Sequence, residues 1–385
     1  MKSLLYMFRR YRVATLLNLL GLGVAVATFY LFMTQVIYNR TYNHNIHDYK
    51  HMYRLEIYGG LFGEDWGCNI CRPFVTLLKE IPQVKDATYI SPYINKTDVK
   101  VGNRTIAVPL IYMGKPGIEF FTGKLLSGSS KTCGDGHNVI VSRSTAEKMF
   151  GTVNAAGKTF EDDNGNGTKT TVTVVGVSED MPDNCTLPNG VYICEDERGL
   201  NDWIEWSYNI YMLLDDGANP KKVERAIKLA FMKENGYSEK DEKKFDKEVN
   251  MKIRITPVDD IYFSGVGPKD RGNRGLVDVL TVASVFVLFI AMLNLLNFSL
   301  SEVPMRMRGI NTRRVMGASI GSLRMKMILE NVVFAFVGLV IGILLIVAFQ
   351  RSETCMKLVS GDIHFASHMV LAAAMAVSAL VVGAL

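Results

Sequence analysis

Catalytic signatures are missing from this sequence. Across 385 residues no HExxH, GxSxG, GxGxxG or Ser/His/Asp order emerges as a credible site, so nothing argues for an enzyme. A strong charge imbalance is missing too: 43 Lys and Arg stand against 38 Asp and Glu, the net +5 means little until the charges are placed on either side of a membrane, and no nucleic-acid partner is expected. Cysteine is sparse, with 6 in all. Cys68, Cys71, Cys133, Cys185 and Cys194 fall in the polar middle of the chain, an odd set that leaves at least one free or paired between chains. Cys68 and Cys71 spell CxxC, but no second pair follows at zinc spacing and no strand–helix context of a redox motif surrounds them. A loop disulfide or free thiols is the expectation there.

Three other patterns look like ligand sites and are discounted on their residues. His44, His47 and His51 recur at i, i+3 and i+7 on what reads as a helical extension over 39–49. No Cys or carboxylate pair completes a ligand set, and Asp48 falls on another face, so a solvated helix surface is expected. Gly151 to Thr159 resembles a phosphate-binding loop with one residue too many between its glycines. Asp162 to Gly167 opens like a calcium loop, but its twelfth position is Thr173 rather than Glu, and a hairpin tip explains the Asn and Gly. No metal site and no cofactor in this chain are expected.

Long apolar runs are what the sequence does have. A membrane-spanning helix needs about 20 mostly apolar residues, and four segments qualify: 13–38, 278–300, 327–349 and 365–385. The first carries no charge. Lys2, Arg9, Arg10 and Arg12 precede it as in a signal peptide, and Ala25-Val26-Ala27 resembles a cleavage site, yet the run continues to Ile37. A signal core would have ended earlier, so an uncleaved anchor is expected. The fold class is thus a membrane protein with four transmembrane α-helices, one plus three, and a large α+β domain inserted after the first. The fourth run is still apolar at Leu385, so this span is expected to be cut short.

Basic residues set the orientation. They crowd the tail 1–12 and the segment 301–326, which holds Arg306, Arg308, Arg313, Arg314, Arg324 and Lys326 against Glu302. Those two segments are expected in the cytoplasm, with 39–277 and the loop 350–364 outside. Within 39–277, short strands alternate with helices near 74–81, at 144–150 and from Asn219-Pro220. Asn219 can cap that last helix and Pro220 occupies its first turn at no cost. The charge run through Lys244 reads as this helix's solvated side.

Segment 301–326 reads SEVPMRMRGINTRRVMGASIGSLRMK. Pro304 is expected to stop or kink the second span, after which basic residues alternate with Ile310, Val315 and Met316 in a short amphipathic element. Gly317 can terminate it and Ser319 can cap the next helix. Inside the spans, Asn18, Asn294 and Asn297 suit hydrogen bonds between helices, and Gly21, Gly23, Gly338 and Gly342 allow close packing.

The run from Arg306 to Ser319 resembles the cytoplasmic signature of MacB/FtsX-type ABC transporter permeases, an RxREIGIRKxLGAS-like sequence. Arg306, Ile310, Arg313, Arg314, Val315, Gly317, Ala318 and Ser319 match it, while Gly309 and Asn311 stand where the family usually has Glu and Gly. RRYRVATLLNLLGLGV at the N-terminus is similar to the family's first helix. IPQVKDATYI, GIEFFTGKLLSGS, VIVSRSTAEKMFGTVNAAGKTF and VTVVGVSEDMP are similar to its periplasmic core. The resemblance implies a non-enzymatic permease in the bacterial inner membrane, its 306–317 element seated in a separate ATP-binding subunit that holds ATP and Mg. It also implies assembly as a homodimer or with a second permease half, the chain being either the first half of a duplicated permease or a four-helix subunit cut slightly short. An FtsX-like regulator of a periplasmic hydrolase or sensor kinase shares the architecture. A membrane-anchored sensor without an ATPase is the reading from another class.

Overall fold

The computed structural model describes residues 12–361 apart from 135, 164–168, 196–199 and 269, and beyond 361 only 363, 365, 368–373 and 377. The expected basic tail up to residue 11, the hairpin tip at 164–168 and most of the expected fourth span therefore lie outside the described residues. The chain divides into two units, residues 1–40 with 273–385, and residues 41–272.

Helix α1 (Arg12–Arg40) has no charged residue between its terminal arginines. Beyond Arg40 the chain turns instead of continuing the helix, because Asn43 and Asp48 take positive φ values of 63° and 53°. The fully buried Asn43 holds this turn: its amide donates to Thr186 Oγ1 at 2.9 Å and Val258 O at 2.7 Å. The expected helical extension over 39–49 is thereby corrected, and with it the shared face of His44, His47 and His51. His44 stacks on Tyr49, whereas His51 lies 2.6 Å from Asp48 and 3.2 Å from Asp216. Asp48, expected on another face, is the closest partner of His51.

The second unit is α+β. Its elements are β1 (Met52–Tyr58), β2 (Trp66–Gly67), α2 (Pro73–Lys79), β3 (Val84–Ile90), β4 (Asn95–Val101), β5 (Arg104–Met113), α3 (Glu119–Thr122), β6 (Leu125–Gly128), β7 (Asn138–Ser142), α4 (Arg143–Phe150), β8 (Thr159–Asp163) and β9 (Lys169–Ser178). There follow β10 (Val191–Cys194), β11 (Asn209–Leu214), α5 (Pro220–Glu234), α6 (Glu242–Val249) and β12 (Lys252–Pro257). Among the described residues the strand neighbours run β10-β7-β9-β8-β4-β5, and β10 pairs again with β5 in parallel, closing that part of the sheet into a ring. Val99, Val108, Val139, Val141, Val174 and Val191 form one apolar cluster from the ring strands. From β5 the sheet continues through β3, β11 and β1 to β12.

On this open part the period-2 alternation of strands sorts side chains between two cores. Leu55 and Ile57 of β1 and Ile210, Met212 and Leu214 of β11 pack with Phe74, Val223, Ile227 and Phe231 of α2 and α5. Met52 and Tyr211 belong to a different cluster. Helix α5 begins as the sequence predicts, with Asn219 Oδ1 accepting from Lys221 N at 3.0 Å. It ends at Glu234, and the charge run beyond it is corrected to a second helix, α6, that starts after Gly236 (φ 79°) and a Ser238–Asp241 capping box. That helix is not merely solvated: Phe245 is buried, edge-on to Phe231, and Lys228 bridges Glu242 at 3.0 Å and Asp246 at 2.7 Å.

The first unit resumes with α7 (Arg274–Val315), α8 (Ile320–Gln350) and α9 (Glu353–Met356). Among the described residues, three stretches are long and apolar enough to cross a bilayer: Thr15–Arg40, Arg274–Asn294 and Ile320–Gln350. Helix α7 runs straight through Pro304 in its hydrogen-bonding pattern, which corrects the expected stop there. A proline removes one N–H and crowds one carbonyl, a loss that apolar helices can absorb locally. The segment 301–326 is accordingly helix to Val315, a turn over 316–319, and helix again from Ile320.

Candidate coupling element and helix packing site

The α7–α8 junction is built from local signals. Gly317 adopts φ 89°, a left-handed value that suits a residue without Cβ. Its N–H reaches Arg314 O and that of Met316 reaches Thr312 O, both at 3.1 Å, closing the last turn of α7. Ser319 caps α8 by accepting from Ser322 N at 3.3 Å. The letters GxSxG do occur here, from Gly317 to Gly321, but Ser319 follows a helix rather than a strand and its hydroxyl is engaged as a cap. Val315 is 89% exposed and Met316 82%, with Arg314 and Gly317 exposed beside them. Arg306, Arg308, Ile310 and Arg313 lie on α7, and their side chains fall outside the described residues.

The packing residues of the spans come together around α1. A Cβ on Gly21 would stand 3.0 Å from Asn294 Nδ2 of α7. On Gly342 of α8 it would stand 2.6 Å from Val26 Cγ1, and Gly338 is backed against Leu22. Gly23 faces Ile341 and the N–H of Gly342. Asn18 is half-buried, whereas Asn297 is exposed. Sequence reasoning missed a polar tie at the other end of α8. Tyr30, fully buried, donates its hydroxyl to Ile363 O at 3.1 Å, which also accepts from Gln350 Nε2 at 2.9 Å. Gln35 exchanges two hydrogen bonds with the backbone of Ser360.

Also missed was a buried ionic cluster in the second unit. Arg54 of β1, 1% exposed, donates to Asp270 Oδ2 and to Glu56 Oε1, both at 2.6 Å. Arg254 of β12 donates to Glu56 Oε2 through Nε at 2.9 Å and stacks 4.1 Å over Trp66. Burial works against the Arg54 charge, but its hydrogen bonds to Asp270 prevail and hold the guanidinium above its ordinary pKa. Asp270 also accepts from Ser264 Oγ at 2.8 Å and Gly267 N at 2.7 Å. The segment that leads into α7 is thereby clipped to β1, the first strand after α1. No sequence spacing announces this, since Arg54 and Asp270 are separated by 216 positions.

The cysteines are all thiols, buried in the second unit and half-buried at Cys355. Burial pushes Cys68 up to about 11 and Cys71 up to about 12, so neither is a thiolate at neutral pH. Among the described residues no group of His, Cys, Asp and Glu is placed to hold a metal.

Comparison with known families matches the MacB-like periplasmic core domain over residues 15–230 and the FtsX-like permease C-terminal domain over 281–385. Among solved structures, the chain is similar to a domain of a protein named as a permease from Porphyromonas gingivalis, at 22% identity and TM-score 0.45, covering 58% of this chain and 95% of that one. It is also similar to the periplasmic region of MacB from Actinobacillus actinomycetemcomitans, at 17% identity and TM-score 0.38, covering 57% and 92%. The extracellular domain of the noncanonic ABC-type transporter YknZ from Gram-positive bacteria matches at 14% identity and TM-score 0.35, covering 53% and 99%. No curated protein matches. The core-domain match alone spans more than half of the sequence, and with the permease match behind it the chain belongs to the MacB/FtsX-type ABC permease family, as a membrane protein with an extracytoplasmic domain.

Proposed function

We propose that this chain is the membrane subunit of an ABC transporter, receiving work from a separate cytoplasmic ATP-binding subunit and delivering it to its extracytoplasmic domain. The supporting observation is the α7–α8 turn, where Arg314, Val315, Met316 and Gly317 are exposed together at the joint of two long helices. A 42-residue helix is about 60 Å long, roughly twice the hydrocarbon core of a bilayer. About half of α7 thus extends beyond its apolar stretch as a basic lever. Positive-inside placement puts that lever and the N-terminus in the cytoplasm of a bacterial inner membrane. A subunit that grips the turn on binding ATP and Mg moves α7 and α8 together, and α1, packed on both, moves with them. The Arg54–Asp270 clip keeps the chain entering the domain after α1 and the chain leaving it before α7 in one rigid piece. Two such chains, or this one and a second permease half, would serve the paired ATP-binding subunits. A peptide, a lipid-linked protein or a drug handled outside the membrane fits as cargo.

The test is co-purification of the full chain with a candidate ATP-binding subunit. Association should be lost in the Arg313→Glu, Arg314→Glu double variant, whose helix keeps its exposure and turn. Unchanged association would remove the coupling role from this element. Normal activity in cells lacking every ATP-binding partner would favour a membrane-anchored sensor. An intact ATPase complex that captures a cell-wall hydrolase and moves no cargo would favour a regulator.

A further inference from the structure

The segment that follows α9 is tied to α1 below the end of that helix. Arg40 closes α1 and reaches Asp278 at 3.3 Å, beside the start of the apolar run of α7 at Val279. This ion pair marks the level at which both helices leave the bilayer. Gln35 precedes Arg40 by about one and a half turns, which places it about 7 Å deeper along the helix axis. Its amide donates to Ser360 O at 2.7 Å, and its carbonyl oxygen accepts from Ser360 N at 3.0 Å. Gly361, at φ 78°, lies against the ring of Tyr38. Tyr30, deeper still on α1, donates to Ile363 O. Segment 357–361 therefore runs beside the last turns of an apolar helix rather than above its end.

Non-helical backbone persists inside a bilayer only where its polar groups are paired. In this segment the consecutive N–H groups are paired. That of Met356 donates to Ser352 O at 2.9 Å, that of Lys357 to Glu353 O at 3.3 Å and that of Leu358 to Cys355 O at 3.0 Å. Val359 N–H donates to Met356 O at 3.4 Å, and Gln35 takes the N–H of Ser360. A turn standing in water needs no membrane helix to close its last donor. Leu358 is 79% exposed within this paired segment, next to the exposed Lys357. One exposed leucine on a wetted surface is ordinary. At the depth of Gln35 the medium around it is lipid, and the long stem of Lys357 lets its ammonium reach the headgroups.

We propose that segment 357–361 lies within the leaflet on the domain side of the membrane, with Leu358 among the lipid acyl chains and Gln35 holding it there. This placement involves no ATP-binding subunit and stands apart from the function proposed above.

The test uses the full chain with Leu358→Cys in a Cys355→Ser background, labelled with the fluorophore NBD. It is reconstituted in vesicles of phosphatidylethanolamine and phosphatidylglycerol. Emission should shift to the blue, be quenched by nitroxide carried on the acyl chains, and resist iodide in the water. The same label at Gly236→Cys, on the turn between α5 and α6, should show the reverse. Iodide quenching at position 358 as strong as at 236 would overturn the proposal. Adding Gln35→Ala removes both hydrogen bonds to Ser360, so nitroxide quenching at position 358 should be lost and iodide quenching gained. Quenching left unchanged by Gln35→Ala would overturn the part given to Gln35.

Discussion

The carbonyl oxygen of Gly23 lies 3.0 Å from where a Cβ on Gly342 would stand, so α1 and α8 meet backbone to backbone at this pair. Lipid chains are as apolar as leucine, so close van der Waals contact rather than water exclusion holds such helices together. Gly342→Leu should force them apart at a cost of about 1–3 kcal/mol or more, read as a lower thermal midpoint in detergent and lost cross-linking between α1 and α8. Gly321→Ala is the control: a Cβ there meets nothing within 4 Å, and it should be neutral or stabilise by about 0.5–1 kcal/mol. Equal effects of the two changes would dismiss the packing argument.

Arg54 sits between two carboxylates from distant parts of the chain, with all three side chains nearly inaccessible. Removing one partner leaves buried charge uncompensated, so Arg54→Met should destabilise the extracytoplasmic domain by about 3–5 kcal/mol. Arg54→Lys should recover only part of this, because a single ammonium lacks the fork that reaches Glu56 and Asp270 together. Denaturant unfolding of the full chain, followed by tryptophan fluorescence, checks both. A neutral Arg54→Met would mean that the cluster contributes nothing net.

His51 gives a pH dependence of defined sign. The hydrogen bond that His51 donates to Asp48 raises its pKa above the ordinary imidazole value, burial opposes this, and the charges of Asp48 and Asp216 add to it. A folded-state pKa above the unfolded one means that the stabilisation is complete below the unfolded value and fades as pH rises through the folded value. An NMR titration should place His51 above His in a model peptide, and Asp48→Asn should return it towards that range. An unshifted His51 in the wild type would contradict the geometry.

The orientation drawn from charge is open to labelling. With Met316→Cys on the exposed α7–α8 turn, a membrane-impermeant maleimide should react only after cells are opened. With Gly236→Cys, on the turn between α5 and α6, it should react with intact cells. The reverse pattern would invert the topology.

Much of this architecture was legible locally. Long apolar runs marked the helices of the first unit, Asn219-Pro220 marked the start of α5, and Gly317 and Ser319 marked the turn between α7 and α8. Other features were misread because a local rule was outweighed. The polar stretch after Arg40 has no helix breaker, yet Asn43 trades helical geometry for three side-chain hydrogen bonds to Thr186 and Val258. Of the stop or kink that Pro304 offers, the stop is excluded, because α7 continues past it. The charge run after Glu234 hid Phe245, whose buried ring makes α6 part of the core.

What the sequence by itself determined is the division of the chain into membrane helices and a polar α+β domain. The length of an apolar run and the spacing of basic residues are properties of neighbouring positions, and bilayer and water respond to them directly. Only the tertiary structure decided that β10 closes on β5, that Arg54 is buried between Glu56 and Asp270, and that Gly23 meets Gly342. In a strand, alternation says which side chains share a face but not what covers it. What covers it here arrives from as far as 216 positions away, as Asp270 does at Arg54, and its identity is set by packing that no local window contains.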